Sequence, residues 1–171
     1  IHRINCSNGE AIVGFGISVA LHNNTLAVGA GYEDSNQTTI TYGSSASNDN
    51  SQSASGAIYI FERTGSTWAQ TAYIKRAVND GDDAFGERVI LTENRLIVGG
   101  ASEDSNQKTI THGTSASTNN NAAGSGAVYV FQLTGTTWAQ EAYIKTSNAD
   151  AGDTIGSRTA FDDKTLILGS Y

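Results

Sequence analysis

The feature that most constrains this sequence is an internal repeat with an offset of 70 residues. The heptapeptide Ser-Gly-Ala-Ile-Tyr-Ile-Phe at 55–61 returns as Ser-Gly-Ala-Val-Tyr-Val-Phe at 125–131. Without any gap, more than half of the positions in 15–75 are identical to those in 85–145. Such a repeat is typical of architectures in which each unit buries its apolar faces against its neighbours. We therefore divide the chain into a lead-in at 1–14, which is the end of a preceding unit, two whole units at 15–84 and 85–154, and the beginning of a third at 155–171.

Each unit is predicted to contain four short β-strands. β-branched and aromatic residues are concentrated in four runs, which Gly, Asn and Ser separate, and no helical period extends beyond one turn. In the third run, at 57–61, both alternating sets of side chains are apolar, so both faces of the sheet must be covered. The runs are 16–21, 25–30, 57–62 and 68–75 in the first unit, and 86–91, 95–100, 127–132 and 138–145 in the second.

A four-stranded antiparallel sheet that repeats and is buried on both faces predicts a β-propeller blade. A β-sandwich would show one polar face per strand, and a β-solenoid would have a much shorter period. We therefore predict an all-β chain that forms a partial propeller of about two and a half blades. Because propellers close with about four to eight blades, we expect further blades of a longer chain, or further copies of this one, to complete the ring. The first is favoured because the repeat is cut within a blade.

Short motifs recur in a fixed order within the units. They are Phe-Gly-Ile-Ser-Val-Ala at 15–20, Leu-Ala-Val-Gly-Ala at 26–30 and Gly-Ala-Val-Tyr-Val-Phe at 126–131, with Glu-Asp-Ser at 33–35 and 103–105. In this order the repeat resembles the FG-GAP repeat of integrin α-subunit propellers and their bacterial relatives, over almost the whole chain. The resemblance implies a non-catalytic module that binds a protein or glycan, and a secreted or cell-surface location in a bacterium.

The sequence departs from the family pattern at two places. The Pro that follows Val-Gly-Ala in the family is Gly31 in the first unit and Ala101 in the second, and the chain contains no Pro. Integrin blades that bind Ca²⁺ carry an Asp-rich loop between the first two strands, whereas here that link is reduced to 22–24 and 92–94. A Ca²⁺ site needs six to eight oxygen ligands, so the resemblance does not extend to this metal site.

A second candidate for Ca²⁺ binding is the acidic stretch between units, although the sequence requires no cofactor. The alternative is a solvated turn in which Asp and Asn side chains bond their own backbone. The turn is favoured because the lead-in has Glu10 at the position of Asp80 and Val13 at the position of Asp83. The candidate metal ligands are Asp80, Asp82, Asp83, Asp150 and Asp153.

Each unit also contains a long irregular insertion, at 31–55 and 101–125. Loops longer than about 12–15 residues inside a compact domain are usually functional or disordered, and two copies with Asn-Gln-x-Thr-Ile-Thr-x-Gly in common are not expected to be disordered. One interpretation is a ligand-contacting loop at a propeller rim, and the other is a structural flap that covers an unpaired blade edge. The candidate partner-binding residues are Glu33, Asp34, Asn36, Thr39, Thr41, Glu103, Asp104, Asn106, Thr109 and Thr111.

Charge and missing motifs exclude several classes of function. A net charge of −7 argues against nucleic-acid binding, and the longest apolar stretch, at 11–21, is too short for a membrane span. No His pair has metal-ligand spacing, and there is no phosphate loop or Gly-x-Ser-x-Gly motif, so we predict a protein that is not an enzyme. The alternatives are a structural subunit of an extracellular filament or surface assembly, and a propeller attached to an enzyme elsewhere in a longer chain.

Overall fold

The computed structural model describes residues 3–9 and 13–170, which form strands and turns. The prediction of an all-β chain is confirmed, and no helix that could span a membrane is found in the described residues. The first unit contains β1 (Phe15–His22), β2 (Thr25–Ala30), β3 (Thr41–Tyr42), β4 (Ala57–Thr64) and β5 (Thr67–Ile74). The second contains β6 (Arg88–Leu91), β7 (Arg95–Gly100), β8 (Ile110–His112), β9 (Ala127–Thr134) and β10 (Thr137–Ile144), and the third contains β11 (Arg158–Phe161) and β12 (Leu166–Gly169).

The strands of each unit pair antiparallel in one sheet. The order is β1-β2-β4-β5-β3 in the first unit and β6-β7-β9-β10-β8 in the second, while β11 pairs with β12 in the third. Two-residue turns join β1 to β2 and β4 to β5, and Asn23 and Gly65 supply the positive φ angles that such turns require. The four strands predicted for each of the first two units are present, although β6 begins only at Arg88, after Gly86 with its φ of 105°.

The sheets have five strands rather than the four predicted. The insertion of the first unit folds back on the outer edge, where Thr41 pairs with Tyr73 and Tyr42 pairs with Ala72. In the second unit β8 pairs with β10 in the same way. These short strands cover part of the outer edge, which would otherwise leave backbone groups of β5 and β10 unpaired.

Both faces of the central strand β4 are buried, as its apolar pattern predicts. Ile58 and Ile60 point into the core shared by the first and second units, whereas Tyr59 and Phe61 belong to a core on the opposite face. Within residues 57–61, the four from Ala57 to Ile60 are at most 1% exposed, and Phe61 is 5% exposed. The sheets are consistent with blades of a partial β-propeller, and the described residues form no closed barrel.

Successive units meet through the same sides of their sheets at both junctions. We name one side of each sheet the aromatic face, and the opposite side the aliphatic face. The aromatic face carries the rings of Tyr59, Phe61 and Tyr73 in the first unit and of Tyr129, Phe131 and Tyr143 in the second. The aromatic face of the second unit shares one core with the aliphatic face of the first. Within that aromatic face the Phe85 ring lies 5.3 Å from the Tyr129 ring, edge to face. The aliphatic face of the second unit packs in turn against Phe161, Leu166 and Leu168 of the third.

Candidate functional site: the insertion rim

The base of each insertion is anchored by a buried ion pair. In the first unit the Lys75 Nζ donates to Glu33 Oε2 at 2.8 Å and to Ser55 Oγ at 2.6 Å. In the second unit Lys145 pairs with Glu103 at 2.6 Å. Glu33 and Glu103, which the sequence offers as partner-binding candidates, therefore lie in the interior of their units rather than on the surface.

The pairing explains how a Lys side chain is accommodated at the end of an apolar strand. Burial lowers the pKa of Lys75 to about 8, although the negative charge of Glu33 opposes this change. A buried charge is strongly destabilising unless it is paired and hydrogen-bonded. In both units the Glu and Lys stand 42 residues apart, but every identical pair recurs at one spacing in a gapless repeat, so the sequence alone does not indicate this ion pair.

The two Asp residues that follow the buried Glu residues close the base of the insertion. Asp34 Oδ1 accepts a hydrogen bond from the Ala54 amide at 2.7 Å, and Asp104 Oδ1 accepts one from the Gly124 amide at 2.6 Å. Each carboxylate thus joins the beginning of its insertion to the end. The function of these half-buried residues is to hold the loop closed.

Of the other candidates, Asn36, Thr39, Asn106 and Thr109 are exposed. Thr41 and Thr111 are half-buried, and their hydroxyls are engaged within the insertions: Thr41 accepts from Gln37 at 2.7 Å, and Thr111 donates to the Ser115 carbonyl at 2.6 Å. The structure therefore leaves four of the ten partner-binding candidates fully accessible, two on each insertion. They are Asn36, Thr39, Asn106 and Thr109.

The two insertions meet at Asp80, a contact that the sequence did not predict. Gln52, near the end of the first insertion, donates to Asp80 Oδ1 at 3.2 Å, and Asn120 of the second donates to Asp80 Oδ2 at 2.7 Å. We call the exposed residues of 36–51 and 106–121, together with Asp80, the insertion rim. Because one carboxylate bonds both loops, the rim is a continuous polar surface that spans two units.

The remaining acidic candidates have different environments. Asp83 is buried and pairs with Arg76 at 2.6 Å, and burial raises its pKa to about 7 despite the nearby guanidinium. Asp82 is exposed, with a φ of 62°. In the next loop Asp150 pairs with Lys108 at 3.1 Å, and Asp153 accepts from the Asp150 amide at 2.8 Å.

Ion pairs or hydrogen bonds thus engage four of the five carboxylates, those of Asp80, Asp83, Asp150 and Asp153. Within residues 3–9 and 13–170, no three or more His, Cys, Asp or Glu side chains are grouped so that they could hold a metal ion. The structure does not bring the five candidate metal ligands together.

The match to a known family concerns the first unit. Residues 2–45, about a quarter of the chain, match the family model described as FG-GAP repeat. No curated protein and no solved structure matches the chain. The matched segment includes β1, β2 and the first part of the insertion that contributes to the rim. The likeness that the comparison finds is therefore to the FG-GAP repeat, over most of the lead-in and the first part of the first unit.

Proposed function

We propose that this chain is a non-catalytic binding module of the β-propeller type, which contacts a protein or glycan outside a bacterial cell through the insertion rim. The observation that carries the proposal is the bridging of both insertions by Asp80. Because buried ion pairs fix the bases of both loops, little conformational entropy is lost when the rim binds a ligand. The match to the FG-GAP repeat, a family of binding repeats typical of extracellular proteins, supports the same conclusion.

The chemistry of the rim also suits recognition. Its exposed residues are mostly Asn, Ser and Thr, which combine adaptable hydrogen bonding with little net charge, as in many binding loops. The rim itself therefore adds little local repulsion toward a ligand of either charge, although the net charge of −7 disfavours anionic ligands at long range.

The test is binding of the purified chain to an array of glycans and an array of extracellular proteins. We expect saturable binding to at least one ligand, and its loss in Thr39→Lys and in Asn120→Lys, which place a long charged side chain on each half of the rim. Ser66→Lys is the matched control, because this exposed residue lies in the turn between β4 and β5. Binding that survives both rim substitutions, or no binding on either array, would contradict the proposal.

A second candidate function is that of a structural subunit, which contacts further units or copies of itself. On β1, Val19 and Leu21 are 63% and 64% exposed. Their equivalents in the second unit, Val89 and Leu91, pack into the core between the first and second units. The surface around Val19 and Leu21 therefore has the chemistry of a unit junction without a neighbour, and the aliphatic face of another unit would complement it.

Analytical ultracentrifugation over a range of concentrations tests this second function. Assembly into larger species that Leu21→Asp abolishes would support it, whereas Glu93→Gln, on the exposed turn before β7, should leave assembly unchanged. A wild-type chain that stays monomeric at every concentration would exclude self-assembly.

A further inference from the structure

A crevice lies between the first and second units, and neither Asp80 nor Asn120 lines it. Its volume is about 470 Å³, which is within the range of about 300–1,000 Å³ for small-molecule sites. The first unit contributes Tyr42, Glu62, Thr71 and Ala72. The second unit contributes the turn between β9 and β10, with Leu133, Gly135, Thr136, Thr137 and Trp138.

Tyr42 closes the crevice across the junction. Its hydroxyl donates to the Trp138 carbonyl at 2.9 Å, although the two residues are 96 positions apart. The side chain is nevertheless 46% exposed, so a ring that is held at its hydroxyl keeps part of its surface open to solvent. A held, partly exposed aromatic ring is a suitable platform for the C–H face of a ligand, because little side-chain entropy is lost on binding.

Thr71 reaches the crevice because the strand is locally irregular. Ile60 pairs with Ala72 and Phe61 pairs with Gln70, so Thr71 is an extra residue between two pairs. A bulge of this kind changes the direction of a side chain and is over-represented beside binding sites. The Thr71 carbonyl accepts a hydrogen bond from the Gly43 amide at 2.8 Å, which connects the bulge to the segment that follows β3.

The polar groups that line the crevice disfavour the binding of anionic ligands. Glu62 is the one charged residue in the lining, and its Oε1 accepts from Thr25 at 2.7 Å. A carboxylate accepts several hydrogen bonds, and the hydroxyls of Thr136 and Thr137 both donate and accept. The Thr71 hydroxyl donates to the Ile60 carbonyl at 3.5 Å and keeps its capacity to accept. This set matches the hydroxyl groups of a neutral polyol and repels phosphates and carboxylates.

A cationic ligand fits the lining less well. Recognition of a quaternary ammonium group uses several aromatic faces arranged as a cage. Here Trp138 is only 5% exposed, so Tyr42 is the one ring with a large open surface in the lining.

We propose that this crevice binds a neutral carbohydrate, with one pyranose ring against Tyr42 and its hydroxyls bonded to Glu62 and Thr71. Tyr42 is also a residue of the insertion rim, but every other residue of the crevice lining lies outside the rim, so variants at Thr136 and at Asn120 test the two sites separately. The crevice is also specific to this junction, because the equivalent crevice between the second and third units has His112 and Glu141 at the positions of Tyr42 and Thr71.

The test follows Trp138 fluorescence while neutral sugars are added. Trp68→Phe leaves Trp138 as the single Trp of the chain, since the sequence contains two. The probes are glucose, galactose, mannose, N-acetylglucosamine, lactose and cellobiose, with calorimetry as a second readout. We expect saturable binding of at least one sugar, and a loss of affinity of about tenfold or more in Tyr42→Ala, because the stacking platform is removed. Tyr42→Phe keeps the ring but loses its hydrogen bond to the Trp138 carbonyl, so it should bind more weakly than the parent and more tightly than Tyr42→Ala.

Three further variants keep the test decisive. Tyr32→Ala removes another Tyr that is 46% exposed, and His112→Ala alters the equivalent crevice, so both should bind as the parent does. Thr136→Arg blocks the crevice from an exposed turn without entering the core, so it replaces Tyr42→Ala if that variant does not fold. No saturation by any sugar, saturation by choline alone, or unchanged affinity in Thr136→Arg would overturn the proposal. Rim variants such as Asn120→Lys should retain sugar binding, which separates failure of this site from failure of the rim.

Discussion

The Lys75 amino group lies 2.8 Å from the Glu33 carboxylate, and neither side chain is exposed. Removal of one member of such a pair leaves an uncompensated buried charge. We expect Lys75→Met to lower the free energy of unfolding by about 3–5 kcal/mol. The double variant Lys75→Met/Glu33→Leu should be more stable than the single one, because no charge stays buried. Urea denaturation measures both.

Lys108 provides the matched control for this pair. Its ion pair with Asp150 is solvent-exposed, with side-chain exposures of 47% and 79%, so Lys108→Met should change stability by no more than about 1 kcal/mol. Equal losses in the buried and the exposed variant would show that the buried pair does not anchor the insertion.

The buried Asp83 predicts a stability that depends on pH. Burial raises its pKa from the ordinary value of 3.8 to about 7, so the folded state binds a proton that the unfolded state has already released. The stabilisation from this group is complete below pH 3.8 and is lost as the pH rises through about 7. Asp83→Asn should flatten the fall in melting temperature between pH 5 and pH 8. An unchanged pH profile in this variant would contradict the assignment.

A substitution at Gly29 tests how closely the backbones of the first and second units approach each other. An added Cβ would collide with the Gly86 carbonyl oxygen of the next unit, where backbone cannot easily move. We expect Gly29→Ala to lower the free energy of unfolding by about 3 kcal/mol or more. In Gly65→Ala no atom lies near the new Cβ, so only the backbone strain of its positive φ, about 1–2 kcal/mol, is expected. Similar losses in the two variants would argue against a tight junction.

Phe85 and Phe15 hold equivalent positions in successive units but differ in burial. Phe85 is completely buried against Tyr129 and Phe131, whereas Phe15 is half-buried. Phe85→Ala should therefore destabilise the chain by about 3–5 kcal/mol, and Phe15→Ala by clearly less. Thermal unfolding of the two variants gives the comparison, and equal shifts would mean that the junction adds nothing to the burial of Phe85.

The sequence predicts the central strands well because their apolar pattern reports burial directly. Residues 57–61 are apolar at every position, and the structure covers both faces of β4. The same kind of pattern does not predict β3, because a strand of two residues, Thr41 and Tyr42, is too short to show alternation. The sequence therefore leaves open whether the insertion covers an edge or binds a ligand, and the structure shows that it covers part of the edge.

The candidate site was predicted less completely, because side-chain identity does not reveal a distant partner. Glu33 looks like a surface residue until Lys75 is known to reach it from β5. The contacts of Asp80 with Gln52 and Asn120, and that of Tyr42 with Trp138, depend on how two units pack together. Periodicity within one unit contains no information on that packing.

The aromatic face of the second unit meets the aliphatic face of the first, and the third unit packs on the aliphatic face of the second, so the stack has a direction. A duplication of 70 residues in frame would add a module whose two faces suit its neighbours at once, and every older junction would stay intact. An array of this kind can lengthen in whole steps during evolution, while a fractional step would bring two like faces together.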